Sequence, residues 1–309
     1  SYMPAADETL AYAAPAGPGG TEAGMALKAV AAPATTEALA LWATGYGAWT
    51  DMDGNANAAG LTSDTGGFLV GADAAIGAGW RLGAVGGYGY TSFDFDGHAS
   101  GSSDDWTIGA YAGNQWGPLG LRTGLAYTWQ DVESSRSVAF PGFADRLKAD
   151  YDAGTFQAFG ELGYRIETGF VAFEPFAGLA YVSLDTNGFG ETGGAAALTA
   201  SGSGMDTTFS TLGLRLAKEV TIGSLAATLR GTIGWQHALS DVTPRATQAF
   251  LGSVPFTVTG VPLAEDAALI EAGLDLSLAE ATTLGLAYAG QFGDGTTQNS
   301  FNATLKVSF

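Results

Sequence analysis

Asn299-Ser300-Phe301-Asn302-Ala303-Thr304-Leu305-Lys306-Val307-Ser308-Phe309 closes the chain with a two-residue period. Phe301, Ala303, Leu305, Val307 and Phe309 are apolar, while Asn302, Thr304, Lys306 and Ser308 between them are polar. Side chains that alternate in this way belong to a strand whose two faces meet opposite environments. The segment ends on an aromatic ring, and many segments of the same kind precede it.

Working back from that end, strands are expected near 41–50, 66–77, 79–93, 104–116, 119–131, 152–166, 169–184, 206–218, 223–239, 266–279, 281–293 and 297–309. Twelve is an even number, as a closed antiparallel barrel made from a single bacterial chain requires. The connections alternate in length. Gly77-Ala78-Gly79, Gly117-Pro118, Thr168-Gly169, Thr221-Ile222-Gly223 and Ala279-Glu280-Ala281 are tight. Asp51 to Thr65, Asp94 to Ser103, Asp131 to Asp150, Asp185 to Met205 and Ser240 to Glu265 are long and polar, and only Gly293-Asp294-Gly295 is short among them. Short turns on one rim and long loops on the other describe a transmembrane barrel of the outer membrane; a sandwich has no reason to produce this alternation. The expected fold is all-β, a 12-stranded antiparallel transmembrane β-barrel with an N-terminal helical segment in its lumen.

Parity assigns the faces. In 223–239, Leu225, Ala227, Leu229, Gly231, Ile233 and Trp235 face lipid, leaving Thr228, Arg230, Thr232 and Gln236 inside. Extended along the chain, the interior parity collects Asp73, Arg81, Arg122, Glu161, Arg165, Glu174, Arg215, Arg230, Glu271, Asp275 and Lys306 as lumen-lining charges. An Arg or Lys on the lipid face at mid-depth would cost about 2–4 kcal/mol, so charges of both signs confined to one parity are a strong internal check. Trp42, Trp49, Trp80, Tyr88, Tyr90, Trp106, Trp116, Trp129, Phe170, Tyr181, Trp235 and Phe292 lie near strand ends and are expected in two interfacial girdles.

Composition agrees. The net charge of −19 argues against a nucleic-acid partner, which needs a basic surface. A mean hydropathy of +0.14 is high for so acidic a chain, and an apolar belt with acidic loops reconciles the two values. Cys is absent, which excludes a disulfide framework and a cysteine-ligated metal. No apolar run reaches the ~18 residues of a membrane-spanning helix, and no signal peptide is visible, so Ser1 is expected to begin a mature or shortened chain. Residues 1–20, rich in Ala, Pro and Gly, are expected to form a flexible leader. Residues 21–40 carry Met25, Leu27, Val30 and Leu39 among small residues, with Thr21 or Thr35 as candidate N-caps, and are expected to be a linker helix slim enough for a narrow enclosure. Residues 41–309 form the barrel.

Three stretches resemble the translocator (β) domain of bacterial autotransporters, the type Va secretion family. They are Leu41-Trp42-Ala43-Thr44-Gly45-Tyr46-Gly47-Ala48-Trp49; Tyr151-Asp152-Ala153-Gly154-Thr155-Phe156-Gln157-Ala158-Phe159-Gly160-Glu161-Leu162-Gly163-Tyr164 running on to Phe173-Glu174-Pro175-Phe176-Ala177-Gly178-Leu179-Ala180-Tyr181; and the terminal strand to Phe309. The resemblance implies a barrel integral to the outer membrane with both ends in the periplasm, a linker threaded through the lumen and a passenger outside. It implies as partners the lipid bilayer and lipopolysaccharide, the chain's own passenger, the barrel-assembly machinery reading Phe309 as its C-terminal signal, and periplasmic chaperones, the barrel being a monomer without a cofactor. Twelve strands leave room for about one helix, between filled eight-stranded barrels and open porins of about 16, and Glu22, Lys28 or Glu37 could pair with lumen charges. Some family members release the passenger by cyclisation of a linker Asn assisted by lumen carboxylates. The first Asn here is Asn55. The passenger is then expected to stay attached, to leave by another protease or an acid-assisted Asp route, or to have lost its scissile residue.

The expected function is passenger transport, not enzymatic chemistry. A simple channel and an outer-membrane hydrolase are the rivals. His98 and His237 lack a Gly-x-Ser-x-Gly elbow and an acid placed to orient them, and two isolated His do not make a zinc set. Asp51/Asp53 and Asp94/Asp96 lack a complete Ca²⁺ ligand spacing.

Overall fold

The computed structural model describes residues 38–56, 58–96 and 98–309. Its wall is made of β1 (Leu39–Met52), β2 (Leu61–Gly77), β3 (Trp80–Phe95), β4 (Ala99–Trp116), β5 (Leu119–Phe140), β6 (Phe143–Tyr164), β7 (Ala172–Thr186), β8 (Ser203–Ile222), β9 (Leu225–Ala238), β10 (Asp266–Ala279), β11 (Thr282–Gly293) and β12 (Thr296–Ser308). Each strand pairs antiparallel with the next, and β12 returns to β1 in unbroken register from Ala40↔Ser308 to Met52↔Thr296. The backbone ladder continues past the strand end, where the Phe309 amide donates to the Leu39 carbonyl at 2.8 Å. Every wall strand therefore has two neighbours, which satisfies the backbone without water as a bilayer demands. The expected linker helix over 21–40 lies outside the described residues except at its end, where Leu39 and Ala40 already belong to β1.

The short-turn rim is built by turn chemistry. In the β4–β5 hairpin Gly117 has φ +59°, the positive value a two-residue turn needs first, and Pro118 supplies the negative φ that follows. The other rim differs from the sequence expectation. Asp131 to Asp150 is not a loop: β5 runs to Phe140 and β6 starts at Phe143, so the hairpin stands beyond the wall. Its alternation persists through the polar run, with Val132, Leu147, Ala149 and Tyr151 buried. Pro141 and Gly142 (φ +88°) occupy the two central positions of a type II turn. The loops 187–202 and 239–265 contain short strands of their own. Phe256–Thr259, Arg245–Phe250, Leu198–Ala200 and Phe189–Gly190 form a second, four-stranded sheet in that order, and a Lys148–Thr192 bridge ties it to β6.

Wall parity follows the two-residue period. On β9, Ile233 is 59% exposed and its neighbour Thr232 is 3% exposed. Outward rings gather toward the strand ends, with Tyr88 on Trp106 at 4.9 Å near the long-loop side and Trp80 against Trp116 at 5.9 Å beside the short turns. Trp42 is a correction to the girdle. It shares the inner parity of β1 with Ala40 and Thr44, and its Nε1 donates to the Tyr111 hydroxyl at 2.7 Å. Gly71 on β2 makes room for this ring, since a Cβ there would sit 2.3 Å from Trp42 and 2.9 Å from the Ala84 carbonyl. Gly71→Val is expected to destabilise the barrel by about 1–3 kcal/mol, the usual cost of overpacking, read as a lower urea midpoint of the reconstituted protein.

Candidate functional site

The site is the interior surface of the wall, where polar side chains are stratified from one rim to the other. Nearest the short turns lies a belt of ion pairs. β5 and β6 place Arg122 opposite Glu161, and β7 and β8 place Glu174 opposite Arg215. These four side chains meet. Arg215 Nη1 and Nη2 each donate to a different oxygen of Glu161 at 2.7 Å. Arg122 Nη1 reaches Glu161 Oε1 at 3.0 Å and Glu174 Oε1 at 2.5 Å, and Arg215 Nη1 reaches Glu174 Oε1 at 3.1 Å. Two guanidinium and two carboxylate groups balance to zero charge, and the Arg215 guanidinium also lies 3.8 Å over the Phe176 ring.

Two further clusters complete the belt. Arg81 Nε donates to Asp73, which also accepts from the Tyr111 hydroxyl at 3.0 Å, so Trp42, Tyr111, Asp73 and Arg81 form one chain of hydrogen bonds. Arg230 is 2.9 Å from Asp275 and 3.5 Å from Glu271. Register explains the common height, because Arg81 on β3 and Arg122 on β5 both pair with Gly113 of β4.

The middle of the interior is neutral or singly charged. Thr44 meets Thr304 at 2.7 Å, Thr155 donates to Gln130 at 3.0 Å, and Gln291 donates to Gln236 at 3.0 Å. Asp105 accepts from Ser103 Oγ at 2.5 Å and Thr91 Oγ1 at 3.2 Å. Toward the long-loop rim the surface turns apolar, with Met52, Leu61, Phe93, Val132, Ala149 and Tyr151 in one cluster.

Of the charges expected on the interior parity, Asp73, Arg81, Arg122, Glu161, Glu174, Arg215, Arg230, Glu271 and Asp275 are gathered in the belt. Lys306 has the interior parity, half-buried opposite Trp42, and makes no ion pair among the described residues. Arg165 also keeps the interior parity, because the register of β6 on β7 continues through the Ile166↔Phe173 pair. It lies at the short-turn rim below the belt, where its amide donates to the Pro118 carbonyl and its side chain pairs with exposed Glu167 at 3.2 Å. Phe309 is outward and 64% exposed. Asp105, Tyr111 and Trp42 were not among the expected interior groups. For Asp105 the signal was present, since it shares parity with Ser103 and Thr107.

His237 also departs from expectation, because an acid does face it. Register brings Asp266 opposite, with Oδ1 2.9 Å from His237 Nδ1 and 2.9 Å from Trp235 Nε1. Among the described residues no hydroxyl hydrogen-bonds the His237 ring, so the pair lacks the nucleophile that a hydrolytic triad requires. Acidic loop residues form no group of three or more metal-ligating side chains among the described residues.

A family model described as the autotransporter beta-domain matches residues 41–289. An extracellular serine protease of Serratia marcescens is 39% identical over 269 residues, which is 87% of this chain but 26% of that protein. The chain thus spans about a quarter of its relative's length. The translocator domain of autotransporter NalP from Neisseria meningitidis superposes with a TM-score of 0.74 at 17% identity, over 89% of this chain and 90% of that one. The beta domain of the Bordetella autotransporter BrkA gives 0.64 at 21% identity, over 88% of this chain and all of the other.

Proposed function

The chain belongs to the autotransporter β-domain family, barrels of the bacterial outer membrane that carry an N-terminal passenger to the cell surface, and on that premise we propose that its ion-paired belt seats the linker left in the lumen after transport. The observation that carries this is topological. β1 begins at Leu39 on the short-turn rim, the periplasmic side in such barrels. A segment that precedes Leu39 and leads to a passenger outside must run the length of the interior. A helix over 21–37 would extend about 25 Å at ~1.5 Å per residue, enough to pass from the belt to the apolar mouth. Its Glu22, Lys28 and Glu37 would meet a wall carrying both signs of charge.

The passenger is proposed to be a surface-exposed hydrolase of the kind named for the Serratia relative. The terminal strand with Phe309 would be the address for the barrel-assembly machinery, periplasmic chaperones would hold the chain unfolded before that step, and the folded barrel would be a monomer among lipid and lipopolysaccharide. The barrel itself is assigned no catalytic residue, metal or cofactor.

The chain has no Cys, so a single introduced thiol reports its own surroundings. Ala29→Cys in intact cells is expected to resist a bulky membrane-impermeant maleimide and to label fully after denaturation. Rapid labelling of the native barrel would instead leave the lumen open, as in a simple channel.

A further inference from the structure

At the mouth, between the outer ends of the wall and the small loop sheet, lies a cavity of about 360 Å³. Its wall is predominantly apolar: Met52, Leu61 and Phe93 come from β1 to β3, Tyr151 from β6, and Phe189 and Val261 from the loops. The loop side is held in place by a bidentate ion pair. Arg136 Nε on β5 donates to Glu191 Oε1 at 2.9 Å, and the same carboxylate accepts from the Leu198 amide at 2.9 Å.

One polar group stands out. Tyr151 is 7% exposed and its ring stacks on Phe189 at 4.3 Å, yet its hydroxyl is buried with no hydrogen-bond partner among the described residues. A buried hydroxyl without a partner is costly. A water would need two to four polar partners, and the side chains packed with Tyr151 (Met52, Leu61, Phe93, Phe189 and Val261) are apolar. A well-packed interior seldom leaves so large a void. The volume lies at the lower end of the range for ligand pockets, about 300–1,000 Å³. It suits one aromatic ring or a short aliphatic chain.

We propose that this cavity binds a small, neutral, mainly apolar molecule that presents a single acceptor oxygen to the Tyr151 hydroxyl. Such a ligand would rest on wall residues (Met52, Phe93) and loop residues (Phe189, Val261) at once, and so would fasten the loop sheet to the barrel. Charged molecules are disfavoured because Arg136 and Glu191 already pair with each other and the side chains packed around Tyr151 are apolar.

The chain has four methionines, and Met52 lines the cavity while Met205 packs in a separate cluster with Phe209 and Leu263. With ¹³C-methyl methionine in the full chain, reconstituted in lipid nanodiscs, acetophenone is expected to shift the Met52 methyl signal saturably and leave Met205 unmoved, while benzoate shifts neither. Tyr151→Phe, which keeps the ring and its stacking, is expected to weaken the acetophenone response about two- to tenfold, the loss of one neutral hydrogen bond. An unsaturable response, equal shifts at both methyl groups, or undiminished binding to the Phe variant would overturn the proposal. A Met52 signal indifferent to acetophenone would do so too, and would leave the cavity to a side chain of the upstream segment.

Discussion

Glu161→Leu is expected to destabilise the folded barrel by about 3–5 kcal/mol, the cost of leaving a buried charge without its partner. Glu161 is 3% exposed and accepts from both Arg122 and Arg215, so its removal takes at least three hydrogen bonds and leaves Glu174 between two guanidinium groups. The cluster changes from neutral to a net positive charge, and the two cations then repel at short range in a weakly screening interior. Urea unfolding of the reconstituted barrel would show a lower midpoint with an unchanged slope. Glu161→Leu combined with Arg215→Met removes one charge of each sign and leaves Arg122 with Glu174. The double variant is expected to recover a large part of the loss, because replacing a whole buried pair costs far less than breaking it. A single variant as stable as the parent would mean that water in the lumen screens the cluster.

Ile233→Arg is expected to cost about 2–4 kcal/mol, the penalty for a cation on the lipid face at mid-depth. Ile233 is 59% exposed on the outer parity of β9, between Leu214 on β8 and Ile270 on β10, so no interior group can reach it. Ala267→Arg, on the inner parity of neighbouring β10, probes the opposite face, where packing alone opposes the charge. Folding yield and unfolding midpoint in bilayers of fixed thickness measure the contrast. If both faces tolerated Arg equally, the outer surface would not be in hydrocarbon.

Strand pairing also explains the limits of local expectation at particular residues. The polar run from Asp131 to Asp150 hid an extended hairpin because polarity masks a period-two pattern that is legible in Leu147, Ala149 and Tyr151. Its Pro141-Gly142 turn was the overlooked signal. The misplaced Trp42 came from judging a ring by its nearness to a strand end, although its parity with Ala40 and Thr44 puts it inside.

Period two and turn residues are properties of neighbours in the chain, and they were sufficient for the twelve strands, the lipid-facing set and the sign-mixed interior. Loop length distinguished the two rims only in part, since Asp94–Ser103 and Asp131–Asp150 are paired hairpins. Which charges meet was decided elsewhere. Arg122 finds Glu174 52 positions away only through the registers of β5 on β6 and β6 on β7, with β8 adding Arg215 from the other side. Register and closure are non-local sums over many hydrogen bonds, and a one-residue slip would turn every one of these side chains to lipid. The same holds for the mouth, where residues from Met52 to Val261 enclose a space that no single segment encodes.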